Sequence, residues 1–295
     1  MANTPLHQDA PPAVMTLAGS DPSGGAGIQA DILTLASLGC HPLSVITALT
    51  VQDSASVHDI MVIDAEWVHD QARLLLEDMP VAAFKVGMIG SIENIAVIAQ
   101  LAADYPDVPL ILDPVLASGG GDEFADEDLI SAMRDMLLPQ VTILTPNSLE
   151  ARRLASNDPD EEDNLTLDEC AQRLLALGVG HVLITGTHEN TAEVINTLYC
   201  PDGTARAQHW ERLPGSYHGS GCTLASAIAA MLACGSSMLE AVDDAQEFTY
   251  QTLLNAYHPG MGQNIPDRLF WARETAAEAE EQAKQAADDE DKKPD

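Results

Sequence analysis

Short apolar runs alternate with longer amphipathic ones along most of this chain. Residues 14–18 are a short apolar run and predict a strand, and residues 26–38 predict a helix closed by Gly39. Residues 43–51 are rich in β-branched side chains and predict a second strand. In residues 66–76, Val68, Ala72, Leu75 and Leu76 recur at i, i+4, i+7 and i+8, the period of an amphipathic helix. The alternation continues with strand 82–86, helix 92–103, strand 110–112, helix 129–137 and strand 141–144. The clearest helix is 167–177. Thr166 and Glu169 have capping-box spacing, Leu167, Cys170, Ala171, Leu174 and Leu175 share one face, and Gly178 follows. Residues 181–185 predict another strand. Residues 191–200 then read as an edge strand, paired with 203–210 across the turn at Pro201–Gly203.

Alternating strands and helices predict an α/β fold with a mostly parallel central sheet and helices on both faces. The segmentation gives one domain over 13–271, a flexible segment over 1–12 and an acidic, partly disordered tail over 272–295. In such sheets, ligands bind outside the carboxyl ends of the strands. The polar clusters fall there: 19–27, Gln52 and Asp53, Asp113, 147–150, and 186–188. Residues 156–164 (SNDPDEEDN) read as an acidic surface loop.

Chemistry concentrates at residues 215–234, GSYHGSGCTLASAIAAMLAC. Gly219, Ser220, Gly221 and Cys222 make a tight turn before a run of good helix formers. A helix N-terminus carries unpaired N–H groups and partial positive charge, and glycines let an anion approach them. The same dipole is expected to lower the pKa of the Cys222 thiol. The other reading is a buried structural cysteine at the start of a core helix. The second cluster, AGSDPSGGAGIQAD over 18–31, lacks the Lys and Ser/Thr of a phosphate loop. Gly25, Gly27 and Ala30 match a dinucleotide fingerprint, but six residues separate Gly25 from the strand. It reads better as a small-molecule pocket lined by backbone, with Asp21 as a hydrogen-bond acceptor. Asp113 before Pro114, and Glu150 in the helix opened by Asn147, are oxygen ligands suited to Mg²⁺ and phosphates.

Composition narrows the function. The chain has 46 acidic and 13 basic residues, a formal net charge of −33, and its lysines are Lys85, Lys284, Lys292 and Lys293. Nucleic-acid binding needs the opposite sign. The stretch 273–295 holds nine of the acids, so most of the charge lies on the folded body. A uniformly acidic, lysine-poor surface suits high ionic strength, which points to halophilic adaptation. Five cysteines without a close pair argue against a disulfide framework or zinc site and for a reducing, cytoplasmic setting. Neither a secretion signal nor an apolar run long enough for a membrane span is visible.

GSGC before a helix, TPNSLE, LDPVLASGG, FKVGMIG and above all AGSDPSGGAGIQAD resemble the hydroxymethylpyrimidine/phosphomethylpyrimidine kinases of thiamin biosynthesis. The resemblance runs from about Val14 to Ala256. It implies a three-layer ribokinase-like fold, ATP and Mg²⁺, and a homodimer. It also implies phosphorylation of the pyrimidine's 5-hydroxymethyl group and then of the monophosphate. Carried over by position, Gln52 hydrogen-bonds the aminopyrimidine, and Gly19, Ala26, Met88 and Val115 line its pocket. Cys222 stands where most of the superfamily has a catalytic Asp. Gly219 and Gly221 serve the transferred phosphoryl beside Ser220, Asn147 and Glu150 hold Mg²⁺ and phosphates, and Asp113 assists. Lys85 is retained, with a structural ion pair as its other reading. The chain departs at 184–188 (ITGTH), where Thr185 replaces a Lys and removes a positive contact to ATP. Its ending, NAYHPGMGQNIPDRLFW, lacks the common close and has no assigned role. Two other readings stay open: pyridoxal kinase, and a pyrimidine-binding module without turnover.

The charge yields a first prediction. The unfolding midpoint rises from salt-free buffer into molar salt, because screening relieves self-repulsion. Thermal melts across a salt series check this, and maximal stability without salt would contradict it.

Overall fold

In the computed structural model, which describes residues 10–117, 124–156, 158–162 and 164–273, nine strands pair into one sheet. The N-terminal half runs β1 (Ala13–Ser20), α1 (Gly27–Ser37), β2 (His41–Gln52), β3 (Val57–Val62), α2 (Ala65–Asp78), β4 (Val81–Val86), α3 (Ile92–Asp104) and β5 (Leu110–Leu112). It continues through α4 (Glu127–Ala132), β6 (Ile143–Leu144), α5 (Ser148–Ala155), the short α6 (Pro159–Glu162), α7 (Leu167–Ala176) and β7 (Val182–Ile184). β8 (Glu193–Tyr199), β9 (Ala205–Glu211), α8 (Ser220–Ala233) and α9 (Met238–Leu254) complete it.

The sheet order is β3-β2-β1-β4-β5-β6-β7-β8-β9. β2, β1, β4, β5, β6 and β7 pair in parallel, while β3, β8 and β9 add antiparallel strands at the two ends. The chain leaves β1 towards β2 and returns to β4 on its other side. The strand order therefore reverses between β1 and β4, which opens a crevice at their carboxyl ends.

Alternation along the strands builds the two faces. Met15, Leu17, Leu110, Leu112 and Leu144 pack with α2, α3, α4, α5 and α7. Their neighbours Val14, Ile111 and Ile143 pack with α1, α8 and α9 on the opposite face. Thr223 to Ala230 of α8 are all buried, so this small-residue helix is enclosed rather than amphipathic.

Several expectations change. Residues 191–200 do not form the edge: β8 lies between β7 and β9, and β9 is terminal. The helix expected over 129–137 is α4, which widens into a π turn over Met133–Leu137 and closes as a 3-10 turn over Leu138–Gln140. The loop expected at 156–164 contains α6. β3 and α9 are additional elements. The flexible segment and acidic tail fall on residues outside the described ones, apart from 10–12 and 272–273.

Lys85 on β4 and Asp31 on α1 form an ion pair at 2.8 Å with both side chains fully buried. Asp31 also accepts hydrogen bonds from Thr16 (2.6 Å) and Ser226 (2.8 Å). Burial opposes the Lys85 charge, but Asp31, with Asp113 nearby, outweighs it and raises the ammonium's pKa. The pair joins β1, β4, α1 and α8 beneath the crevice. Removing one partner leaves an uncompensated buried charge. Lys85→Met should therefore cost about 3–5 kcal/mol in denaturant unfolding. The Lys85→Met/Asp31→Leu double variant should recover most of that, and a wild-type midpoint for Lys85→Met alone would contradict the assignment.

Candidate active site

The N-termini of α1 and α8 converge at the crevice. Gly219, the residue before α8, has a left-handed φ of +81°, and a Cβ there would stand 2.1 Å from the Gly25 carbonyl oxygen. Only glycine allows this contact between backbones. The first helical bond of α8 runs from Thr223 N–H to Gly219 O (3.0 Å). The N–H groups of Ser220, Gly221 and Cys222 precede it and have no partner within the helix. Gly27 N–H, at the start of α1, donates to the Cys222 sulfur. Two positive helix ends thus face one spot.

Asp21 fixes the loop that leads into α1. Its carboxylate accepts from Ser23 N–H (2.8 Å), Ser23 Oγ (2.9 Å), Ala26 N–H (2.7 Å) and His218 Nε2 (2.9 Å). It is 1% exposed. The residue expected as a substrate acceptor is therefore committed to the protein's own loop. His218 in turn lies against Gly25, where a Cβ would meet its ring at 2.2 Å.

The floor is acidic. Asp113, after β5, lies beneath Gly221, whose Cβ would stand 3.7 Å from its carboxylate. Burial pushes the Asp113 carboxyl up to about 6, against the pull of Lys85. Burial, joined by the Asp113 charge, pushes Glu150 up to about 7. Glu150 closes a capping box with Asn147 at the start of α5, accepting from Asn147 N–H at 2.9 Å, and also accepts from Leu116 N–H at 3.3 Å. The Asn147 side-chain oxygen caps the Leu149 and Glu150 N–H groups, both at 3.0 Å. Among the described residues no group of three or more His, Cys, Asp or Glu forms a metal cage. Two carboxylates held above their ordinary range fit Mg²⁺, which needs only one or two beside waters and substrate phosphates.

These groups line one cleft of about 1190 Å³ at the carboxyl edge of the sheet. Gly19, Asp21, Ala26, Gln52, Met88, Asp113, Val115, Asn147, Glu150, Gly219, Ser220, Gly221 and Cys222 all reach it. At one end the Met88 sulfur packs on Gly19, where a Cβ would stand at 3.1 Å. Beside it, Gln52 donates to Thr50 (2.7 Å), which donates to Ser20 O (2.9 Å). At the other end Thr185 and Trp210 line the wall.

A model of the phosphomethylpyrimidine kinase family matches residues 21–267. The chain belongs to the phosphomethylpyrimidine kinase family. It is 39% identical over 256 residues to a hydroxymethylpyrimidine/phosphomethylpyrimidine kinase of Streptomyces coelicolor, covering 85% of this chain and 92% of that one. The fold is similar to Bacillus subtilis pyridoxal kinase, solved as an ADP complex, with a TM-score of 0.77, 28% identity and coverage of 88% and 97%. It is also similar to a phosphomethylpyrimidine kinase of Clostridium difficile, with a TM-score of 0.70, 30% identity and coverage of 82% and 99%.

The Cys222 thiol of this family member departs from the sequence expectation. The Cys222 pKa is not lowered. Burial pushes the thiol up to about 12, and Asp113 and Asp31 add to the rise against the pull of Lys85 and the Gly27 N–H. The helix ends act on a half-buried sulfur near Asp113 and Asp31, and desolvation together with those charges wins. Lys85 belongs to the buried pair with Asp31, as its structural reading held. The sequence reading also left out His218 and Arg268. The Arg268 guanidinium is 2% exposed and donates to Gly25 O at 2.6 Å, behind the converging helix ends. A buried Arg in a loop carries no periodic signal.

A protonated Cys222 is a slow nucleophile. At pH 8, iodoacetamide should modify Cys222 at least about tenfold more slowly than the exposed Cys234. Mass mapping of alkylated peptides checks this, and faster labelling of Cys222 would mean a thiolate.

Proposed function

We propose that this protein transfers the γ-phosphoryl group of ATP to 4-amino-5-hydroxymethyl-2-methylpyrimidine, and then phosphorylates the monophosphate to the diphosphate, in thiamin biosynthesis. The observation that carries the reading is the convergence of the α1 and α8 N-termini on the cleft. Phosphoryl transfer asks mostly for positioning and for positive dipoles at the transferred group. Membership of the family supports the substrate. The pyridoxal kinase likeness supports a shared scaffold with a nucleotide site.

In this reading the pyrimidine lies between Gly19, Ala26, Met88 and Val115, with Gln52 meeting its aminopyrimidine edge. An amide both donates and accepts, which suits a ring carrying an amino group and nitrogen acceptors. The N–H groups of Ser220, Gly221 and Cys222, in the turn opened by Gly219, hold the transferred phosphoryl oxygens. Asn147 and Glu150 lie towards the nucleotide. Mg²⁺, held by Glu150, would neutralise phosphate charge, while Asp113 assists from beside Cys222 rather than as a direct ligand. Cys222 takes the hydroxyl proton on sulfur as its own proton passes to Asp113, with which the thiol is hydrogen-bonded. This relay needs no standing thiolate. Asp113, with its carboxyl near 6, is largely ionised at neutral pH and able to receive the proton.

The reading includes a homodimer, a cytoplasmic setting and halophilic adaptation. Val51, Met61 and Val62 leave apolar surface on the terminal β2–β3 hairpin, where β3 is an open edge. All five cysteines are free. The acidic excess supports the salt adaptation.

ATP turnover tests the proposal with the hydroxymethylpyrimidine, its monophosphate and pyridoxal as acceptors. Wild type should use both pyrimidines in Mg²⁺ and moderate salt. Cys222→Ala should lose about 10²-fold in kcat, the lower end of what a positioned proton acceptor contributes. Turnover of pyridoxal alone would move the substrate, and binding of the pyrimidine without turnover would leave a binding module.

A further inference from the structure

We propose that Arg268 is a positioning residue for phosphoryl transfer, setting the separation and orientation of the α1 and α8 N-termini from behind. The inference rests on the kinase reading above. Arg268 Nη2 donates to Gly25 O (2.6 Å) and to Gly219 O (3.4 Å), and Nε donates to Thr223 Oγ1 (3.0 Å). Thr223 Oγ1 itself donates to Gly219 O (2.8 Å). One planar group therefore bridges the loop that opens α1 and the turn that opens α8. Arg268 is not among the residues that line the cleft, so it acts through these two peptides.

Peptide planarity turns this into a directional device. A trans peptide points its C=O and the next N–H in opposite directions. Drawing Gly219 O back towards Arg268 aims Ser220 N–H forwards. Drawing Gly25 O back aims Ala26 N–H at Asp21, where it bonds at 2.7 Å. With Gly25 and Gly219 in backbone contact, neither residue has a side chain to set the spacing, which rests on bonds across the gap: His218 to Asp21, Gly27 N–H to the Cys222 sulfur, and the Arg268 bridge. Two like partial charges at that distance also repel.

The charge state of Arg268 argues for function over simple stability. It has no ion pair with a carboxylate among the described residues, and its neighbour Asp267 pairs with Arg273 instead. Its hydrogen-bond partners are neutral oxygens, with the charges of Asp31 and Asp21 acting without direct contact; burying a guanidinium so is costly, and an apolar side chain of similar volume is often no worse for folding. Held at this point, the charge adds to the positive potential of both helix ends.

The test compares Arg268→Met and Arg268→Lys with wild type by steady-state kinetics and thermal melts. Arg268→Met should lower kcat about 10²-fold while both KM values stay within about threefold, since displacing the hole by about 1 Å acts on the transition state. Arg268→Lys, which keeps the charge and N–H donors but loses the planar fork, should recover at least about tenfold of that loss. A kcat for Arg268→Met within about threefold of wild type, or a loss carried by KM, would overturn the proposal. So would an Arg268→Lys enzyme that melts like wild type yet is as slow as Arg268→Met. If Arg268→Met does not fold, Thr223→Val decides. A kcat loss of at least about threefold at an unchanged melting temperature supports the bridge, and wild-type kcat refutes it. The acceptor that wild type uses judges the kinase reading separately. The variant ratios are taken on that acceptor, or on slow ATP hydrolysis if it uses none.

Discussion

Two helices aim their positive ends at one point, and much of the architecture exists to permit it. Like partial charges repel, so α1 and α8 need a reason to meet. Part of the reason is steric: Gly25 and Gly219 offer no side chain, and the backbones touch. Part is electrostatic: Asp21 gathers the loop before α1, and Asp31 anchors both helices through Lys85 and Ser226. The sheet adds the remaining constraint. Because β1 and β4 are neighbours while β2 lies on the other side of β1, the crevice opens where these helices begin.

Local and global charge oppose each other. The chain carries −33, which disfavours a polyanionic nucleotide at long range. Within the cleft the helix ends, Lys85 and the nearby Arg268 offset part of the charge of Asp21, Asp31, Asp113 and Glu150. Surface repulsion is screened over about 10 Å at 0.1 M salt, whereas buried dipoles are screened much less. High salt therefore weakens the unfavourable part of the field and leaves the useful part.

Much of this was legible in the sequence, for physical reasons. Strands buried on both faces are short apolar runs, and the polar clusters between them mark the carboxyl edge; the thirteen residues named from those clusters and motifs do line one cleft. Thr166 with Glu169 announced α7 through local hydrogen bonds, which depend on spacing alone. The same signal was present at Ser237 and Glu240 and marks α9, although the helix went unread. β3 gave little sign, because an exposed edge strand carries polar residues such as His58 and Asp59. The Cys222 thiol was misread because its environment is tertiary. A helix dipole is visible in sequence, but the carboxylates of Asp113 and Asp31 reach the sulfur only through folding. Arg268 was hidden for the same reason, since its partners Gly25 and Gly219 are 243 and 49 residues away in the chain.

The identity of residue 222 follows from the same electrostatics. A carboxylate there would sit beside Asp113, which is hydrogen-bonded to the present side chain. Two carboxylates so placed cannot both ionise cheaply, and one of them would take up a proton. Were both to stay ionised, the pair would instead add negative charge beside the turn that opens α8. A thiol avoids both costs. It stays neutral, with its pKa pushed up to about 12, and donates to Asp113. In a loose phosphoryl-transfer transition state the acceptor hydroxyl needs little activation before the bond to phosphorus forms. In the proposed mechanism, a neutral thiol that adds no charge beside Asp113 is then a sufficient proton acceptor.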